Sequence, residues 1–355
     1  MGFDRGPGGG VRASAVSAAP SSGDRCDASA DVLAPANLAA TDPAITGRRP
    51  VLHWLLLLAL VAMWGSSFML TKVSVAAVPP SIVVAARLAI AAVLLVGALM
   101  LSGKRLPGRG RHWPFFIAMA LVGNCIPFWL ISWGQQGIDS GLAGILMAIM
   151  PLTTLVLAHR FVAGERLNRC RVGGFLTGFG GIAILVGPEA MLQFDGGGST
   201  LVSELAVLAG AVCYAVATIV ARRRPNSDAL VAASGVMIAA TVIMAPVAAV
   251  NDDVRSFDLS LLGASAIVLL GVMSTALATV VYFKLITLAG PSFLSLINYL
   301  IPLWAVLLGT MLLGETPEWT ALVALVLVLS GIALSEVGSG AAGPRRPEPN
   351  RAGPR

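Results

Sequence analysis

Ten apolar runs of roughly 20 residues follow one another from Val51 to Glu336, each long enough to cross a bilayer as a helix. Polar borders place them at 51–72, 81–101, 114–133, 140–159, 171–188, 203–221, 229–250, 260–282, 289–312 and 317–336. The pattern predicts an all-α polytopic membrane protein with ten transmembrane helices. Two runs carry features a plain anchor does not need. Ser295–Glu315 contains Asn298, Tyr299 and Pro302 and ends in Gly314-Glu315. Pro302 has no N–H, so the carbonyl of Asn298 loses its helical partner. Gly144–Glu165 has the same plan, with Pro151 in mid-span and Gly164-Glu165 at its end. Each is followed by a polar link and an apolar run, and the spacing from Glu165 to Gly181 equals that from Glu315 to Gly331.

A unit of roughly 150 residues has therefore been used twice. At the same shift, Trp64 and Lys72 correspond to Tyr214 and Arg222. Ten spans in two units give five per unit. An odd number sends the second unit into the membrane from the opposite side, so the sequence predicts two inverted five-helix repeats. The first covers 51–188 and the second 203–336. The flanks, 1–50 and 337–355, are rich in Gly, Ala, Pro and Arg and are expected to be disordered cytoplasmic tails.

Charge orients the spans. With the N-terminus inside, all but Lys72, Arg87 and Arg255 of the 24 Lys and Arg residues fall on the cytoplasmic side or in the tails. The outer loops hold Asp139, Glu189, Asp195, Asp252, Asp253, Asp258 and Glu318 instead. Both termini are expected in the cytoplasm, in a multi-pass inner-membrane protein. Only 12% of the chain is charged, against 56% hydrophobic, and the net charge of +6 belongs to short loops, not to a nucleic-acid surface. The four cysteines show no metal or disulfide spacing. His53, His112 and His159 lie far apart at span ends, so no metal and no cofactor are expected.

The motifs MWGSSFMLTK (Met63–Lys72), PPSIVVAARLAIAAVLL (Pro79–Leu95), the Pro151 helix with Gly164-Glu165, NYLIPLWAVLLGTMLLGE and LSGIALSE (Leu329–Glu336) occur here in that order. Together they resemble the EamA family of the drug/metabolite transporter superfamily over residues 51–337. The resemblance implies a ten-helix inner-membrane carrier with a central cavity between its units, often an exporter of amino acids or other small metabolites. Near the start of the second unit Ala211-Val-Cys-Tyr replaces the Trp-Gly-Ser pattern, a departure from symmetry.

The candidate substrate-binding residues are Trp64, Ser67, Arg87, Asn124, Trp133, Tyr214, Asn298 and Tyr299. Arg87 lies about 9 Å into its span, where a cation is costly. It either contacts an anion or carboxylate in the cavity, or snorkels or tethers a neighbouring helix. Asn124, beside Pro127, and Asn298 need partners, which substrate or a facing helix can supply. Trp64 lies near mid-span, away from the interfacial belts, as a pocket wall or as bundle packing. Ser66-Ser67 also suits close helix packing. Gly174 and Gly178, and likewise Gly137 and Gly141, form G-x-x-x-G pairs, read as helix packing or a dimer contact. Pro151 and Pro302 are the candidate hinges.

An enzyme would need paired carboxylates, a Ser–His pair or a metal cluster in the spans, and none is legible. There is no P-loop for an ATPase. A channel or scaffold is the alternative to a secondary transporter. No carboxylate lies in mid-span, which favours a neutral, zwitterionic or anionic substrate. The expected partners are a small-molecule substrate and the lipid bilayer, with no nucleic acid, in a monomer or homodimer.

Overall fold

In the computed structural model, each apolar run forms a helix because hydrocarbon leaves the backbone no outside partner for its N–H and C=O groups. The structure describes residues 50–340 except 109, 111, 163–167, 188–198, 226 and 252–259. Both tails, apart from Pro50 and the residues up to 340, lie outside the described residues, as do Gly164-Glu165 and the acidic positions Glu189, Asp195, Asp252, Asp253 and Asp258. No strand occurs among the described residues.

The ten helices are α1 (Val51–Val75), α2 (Pro80–Leu101), α3 (Trp113–Gly134), α4 (Ser140–Phe161), α5 (Arg169–Val186), α6 (Ser199–Ala221), α7 (Ala229–Asn251), α8 (Leu261–Ala289), α9 (Ile297–Leu313) and α10 (Trp319–Gly340). Among the described residues, nine of them are long and apolar enough to span a bilayer. The shorter α9 is preceded by a single turn at Pro291–Leu294. Local signals set the starts. Proline at the first helical positions opens α2 and α3. Asn168 caps α5 through Arg171 N–H, and Ser260 caps α8 through Gly263 N–H.

The packing repeats with the sequence. Adding five to each helix number carries the α1–α8 contact onto α6–α3, α1–α9 onto α6–α4, and α2–α8 onto α7–α3. The pairs α2–α7, α4–α9 and α5–α10 map onto themselves. This is the contact pattern of two units related by a pseudo-two-fold axis. Glycines allow the closest of these approaches. A Cβ on Gly174 would collide with the carbonyl of Gly331, and one on Gly331 would meet Gly178 N at 2.7 Å. The Gly174/Gly178 face is thus occupied by α10 within the chain. Large apolar side chains are exposed on all ten helices, among them Val93, Leu176, Phe179, Val242, Val268, Leu307 and Val326. Lipid covers such a surface and water does not.

Several boundaries differ from the sequence reading. The eighth apolar run is bounded at 282, but α8 continues to Ala289, where Gly290 at φ 80° stops it. Lys284 is exposed on the flank of the helix, where its ammonium avoids burial. The last helix runs four residues past 336, into the segment assigned to the tail.

The interior of α3 was not foreseen. Its turn at Leu121–Cys125 is a π-helix, and α8 has another at Leu270–Leu277. In both, a side chain bonds the carbonyl five residues back: Asn124 Nδ2 to Met119 O at 3.2 Å, and Thr275 Oγ1 to Leu270 O at 2.8 Å. In α3, Pro127 follows the widened turn after one intervening residue.

The proline helices break unequally. The fourth span is interrupted at Ala148–Ile149, directly before Pro151 at the start of its second half. The ninth is interrupted at Ser295–Leu296, and α9 then continues as helix through Pro302. The break in this span lies about two turns before Pro302, after the short, separate turn Pro291–Leu294.

Candidate functional site

Three helices from different parts of the chain converge on Arg87. Only 7% of this residue is exposed, so it does not snorkel to an interface. Its guanidinium carbon lies 3.7 Å from the ring centroid of Phe128 on α3, a cation–π contact in a desolvated setting. Its Nε–H donates to Thr275 Oγ1 on α8 at 2.8 Å. The Thr275 hydroxyl hydrogen is held on the Leu270 carbonyl by the π-turn, which leaves the oxygen lone pairs free to accept. Phe128 in turn meets Tyr214 of α6 edge-on, with centroids 6.3 Å apart. Arg87, Phe128, Tyr214 and Thr275 form one junction, with two members from each repeat; Arg87 and Thr275 are buried, Phe128 and Tyr214 partly so.

The π segment of α8 serves a second contact. Ser274 Oγ donates to the carbonyl of Met63 at 2.8 Å, so α1 is tied to the turn that holds Arg87. Beside it, Trp64 packs on Tyr282, with centroids 5.6 Å apart. Directly after it on α1, Gly65 is covered by Trp304 of α9, to which its Cβ would come within 2.6 Å, and the Trp304 indole N–H donates to Ser66 Oγ at 3.1 Å.

The other sequence candidates fall at graded distances from this junction. Asn124 is buried one turn before Phe128, its amide spent on the π-turn. Tyr299 packs with Tyr214 on the cluster around Phe68, Val207 and Ala305. Asn298 precedes it and is half-buried. Ser67 turns its hydroxyl onto its own helix, at the Trp64 carbonyl, so Ser66 makes the interhelical bond. Trp133 does not join the junction. It stacks on the exposed Trp129 at 6.5 Å and lines an open apolar groove with Val202, Leu205 and Ala206. The physical reason is its position at the end of α3, beyond the layer where the helices cross.

Lys72 sits at a helix end with defined partners. Its Nζ donates to the carbonyls of Gln135 at 3.0 Å and Ile138 at 2.7 Å, closing the C-terminus of α3. Gln135 is fully buried and donates to the Phe68 carbonyl at 2.9 Å.

Phe128, Thr275, Ser274, Tyr282 and Gln135 were missed. The repeat could have found two of them. A shift of 150 from Asn124 and Cys125 gives Ser274 and Thr275.

The sequence profile of the EamA-like transporter family matches residues 52–187 and again 201–336. The chain is 24% identical over 277 residues to the uncharacterized transporter YoaV of Bacillus subtilis (strain 168), covering 78% of this chain and 94% of that protein. It is 28% identical over 286 residues to the uncharacterized inner membrane transporter YedA of Escherichia coli (strain K12), covering 79% and 90%. A probable terminal-alkyne amino-acid exporter of Streptantibioticus cattleyicolor is 27% identical over 282 residues, covering 79% and 92%. One crystal structure matches with a TM-score of 0.59 and 22% identity, covering 82% of this chain and 98% of that one, a likeness of fold.

Proposed function

Because this chain belongs to the EamA-like transporter family, we propose that it is a secondary carrier that exports a small metabolite, an amino acid or a related solute, across the inner membrane by alternating access. The observation that carries the reading is the Arg87–Thr275 hydrogen bond. It joins a buried charge of the first repeat to a hydroxyl of the second. A carrier needs its binding groups on both sides of the surface along which its halves move, and this junction meets that need. Two relatives named as transporters and one named as an exporter support the class.

The substrate site consists of Arg87, Tyr214, Phe128 and Thr275, with Trp64, Asn124, Asn298 and Tyr299 around it. Pro151 and Pro302 act as hinges in the broken spans. The protein performs no covalent chemistry, and one chain supplies the whole junction. Both termini lie in the cytoplasm, a placement that rests on the distribution of Lys and Arg. The test is a metabolite survey of medium and cells, with the protein deleted and overexpressed. Export requires a small solute that rises in the medium and falls in the cells on overexpression. Accumulation in the cells would reverse the direction, and no change in any solute would contradict the carrier.

A further inference from the structure

Resting on the carrier reading, we propose that Arg87 is a carboxylate-binding residue and that the transported solute is a small acid or zwitterion, gripped end-on by the two Nη groups of its guanidinium. Arg87 is a buried cation, and no ion pair joins it to a carboxylate among the described residues. Buried charges in folded proteins are paired. A tie between α2 and α8 does not explain the charge, because any neutral donor could reach the Thr275 hydroxyl.

The geometry is that of a prepared fork. Phe128 lies against the guanidinium plane and fixes its tilt. Thr275 occupies the Nε–H and so blocks side-on approach, which uses Nε together with one Nη. The π-turn fixes Thr275 in its turn, through the Leu270 carbonyl. The outer edge of the guanidinium, with two parallel N–H donors, is left for a planar oxyanion. A carboxylate matches that edge with two bonds, whereas a spherical anion such as chloride does not. The Tyr214 ring, edge-on to Phe128, walls the junction from the α6 side. A second repeat-related cation is not available to grip another acid, since a shift of 150 from Arg87 gives Met237. One carboxylate is therefore the anchoring group, and the remainder of the solute sets affinity elsewhere.

The test uses full-length protein in proteoliposomes and three labelled pools: proteinogenic amino acids with simple carboxylic acids, the corresponding decarboxylated amines, and chloride. The acid pool is expected to move and the other two are not. Arg87→Gln should raise the half-saturation concentration for the acids by roughly 30-fold or more, the loss expected when one partner of a buried charge pair is removed. Arg87→Lys keeps the charge without the fork and should fall between the two. It also serves as the readout if Arg87→Gln does not fold. Thr275→Val frees Nε and should weaken acid binding while amines stay excluded. Amines moving as well as acids would overturn the assignment and leave the carrier standing. So would equal competition by chloride, or an unchanged half-saturation concentration in Arg87→Gln and Arg87→Lys. If no pool moves through folded wild-type protein, the carrier reading falls together with this one.

Discussion

Glu315 caps the first turn of α4: its Oε1 accepts the backbone N–H of Ser140 at 2.8 Å, and its Oε2 that of Gly141 at 2.9 Å. A carboxylate at a helix N-terminus satisfies orphan donors and meets the positive end of the dipole. The contact joins the end of α9 in the second repeat to the start of α4 in the first. Gly314, left-handed at φ 69°, turns the chain back so that Glu315 reaches its partners. Gly309 leaves the room, since a Cβ there would collide with the Glu315 carboxylate. At the repeat-related position the donors would be Gly290 and Pro291, and Pro291 has no N–H. That position therefore offers one backbone donor fewer.

Glu315→Ala should destabilise the protein by about 2 kcal/mol, the scale of losing charge-assisted hydrogen bonds. Glu315→Gln retains one acceptor oxygen and should lose less. Thermal unfolding in detergent should rank wild type above Glu315→Gln and that above Glu315→Ala. Equal melting points would mean the cap contributes nothing.

Gly331→Ala places a methyl group between α10 and α5, where Gly174 and Gly178 touch it. Overpacking a tight contact costs about 1–3 kcal/mol. The variant should melt lower while remaining monodisperse. A stable variant with altered oligomeric state would instead assign the glycine face to a contact between chains.

The bridge between Lys104 and Asp228, 2.7 Å long with both side chains partly exposed, gives a pH-dependent signature. The hydrogen bond from Lys104 holds the Asp228 carboxyl below its usual range. A depressed carboxylate stabilises above its unfolded value, near pH 4, and loses that contribution as pH falls through the depressed value. Exposure limits the effect to about 0.5 kcal/mol. Asp228 also caps α7 through Leu230 N–H, a task asparagine performs equally well. Asp228→Asn should thus lose only the small acid-sensitive part, and Asp228→Ala about 1 kcal/mol more. Melting curves at neutral and acid pH separate the two.

Pro302→Ala restores an N–H to α9 and returns a partner to the Asn298 carbonyl. If this helix bends during transport, the variant should slow turnover several-fold with substrate affinity nearly unchanged. Equilibrium binding and transport rate on one purified preparation decide between a hinge and a part of the site. Weakened binding with unchanged turnover assigns Pro302 to the site.

Helix number, the repeat and the class of protein were legible in the sequence because each rests on hydropathy and spacing, which need no tertiary information. Arg87 and Tyr214 were legible as oddities, a charge and a phenol in apolar runs. Their meeting was not, because it depends on how α2, α3, α6 and α8 cross. The π-turns were hidden too, since Asn124 and Thr275 look like ordinary polar residues until each is seen on a carbonyl five residues back. Trp133 misled because an aromatic residue at a span end reads the same whether it faces a cavity or a groove. Glu315 was noticed as a helix-ending residue, and its partner 175 positions away was out of reach of any local pattern.

The most direct test of the account is counterflow. Proteoliposomes carrying the purified protein are loaded with unlabelled amino acids and diluted into labelled ones, beside vesicles loaded with buffer alone. A carrier that exposes one site alternately returns faster when loaded than when empty. Uptake should therefore be saturable and several-fold faster into the preloaded vesicles. Uptake that rises linearly with concentration and ignores preloading would show an open path through the bundle and contradict alternating access.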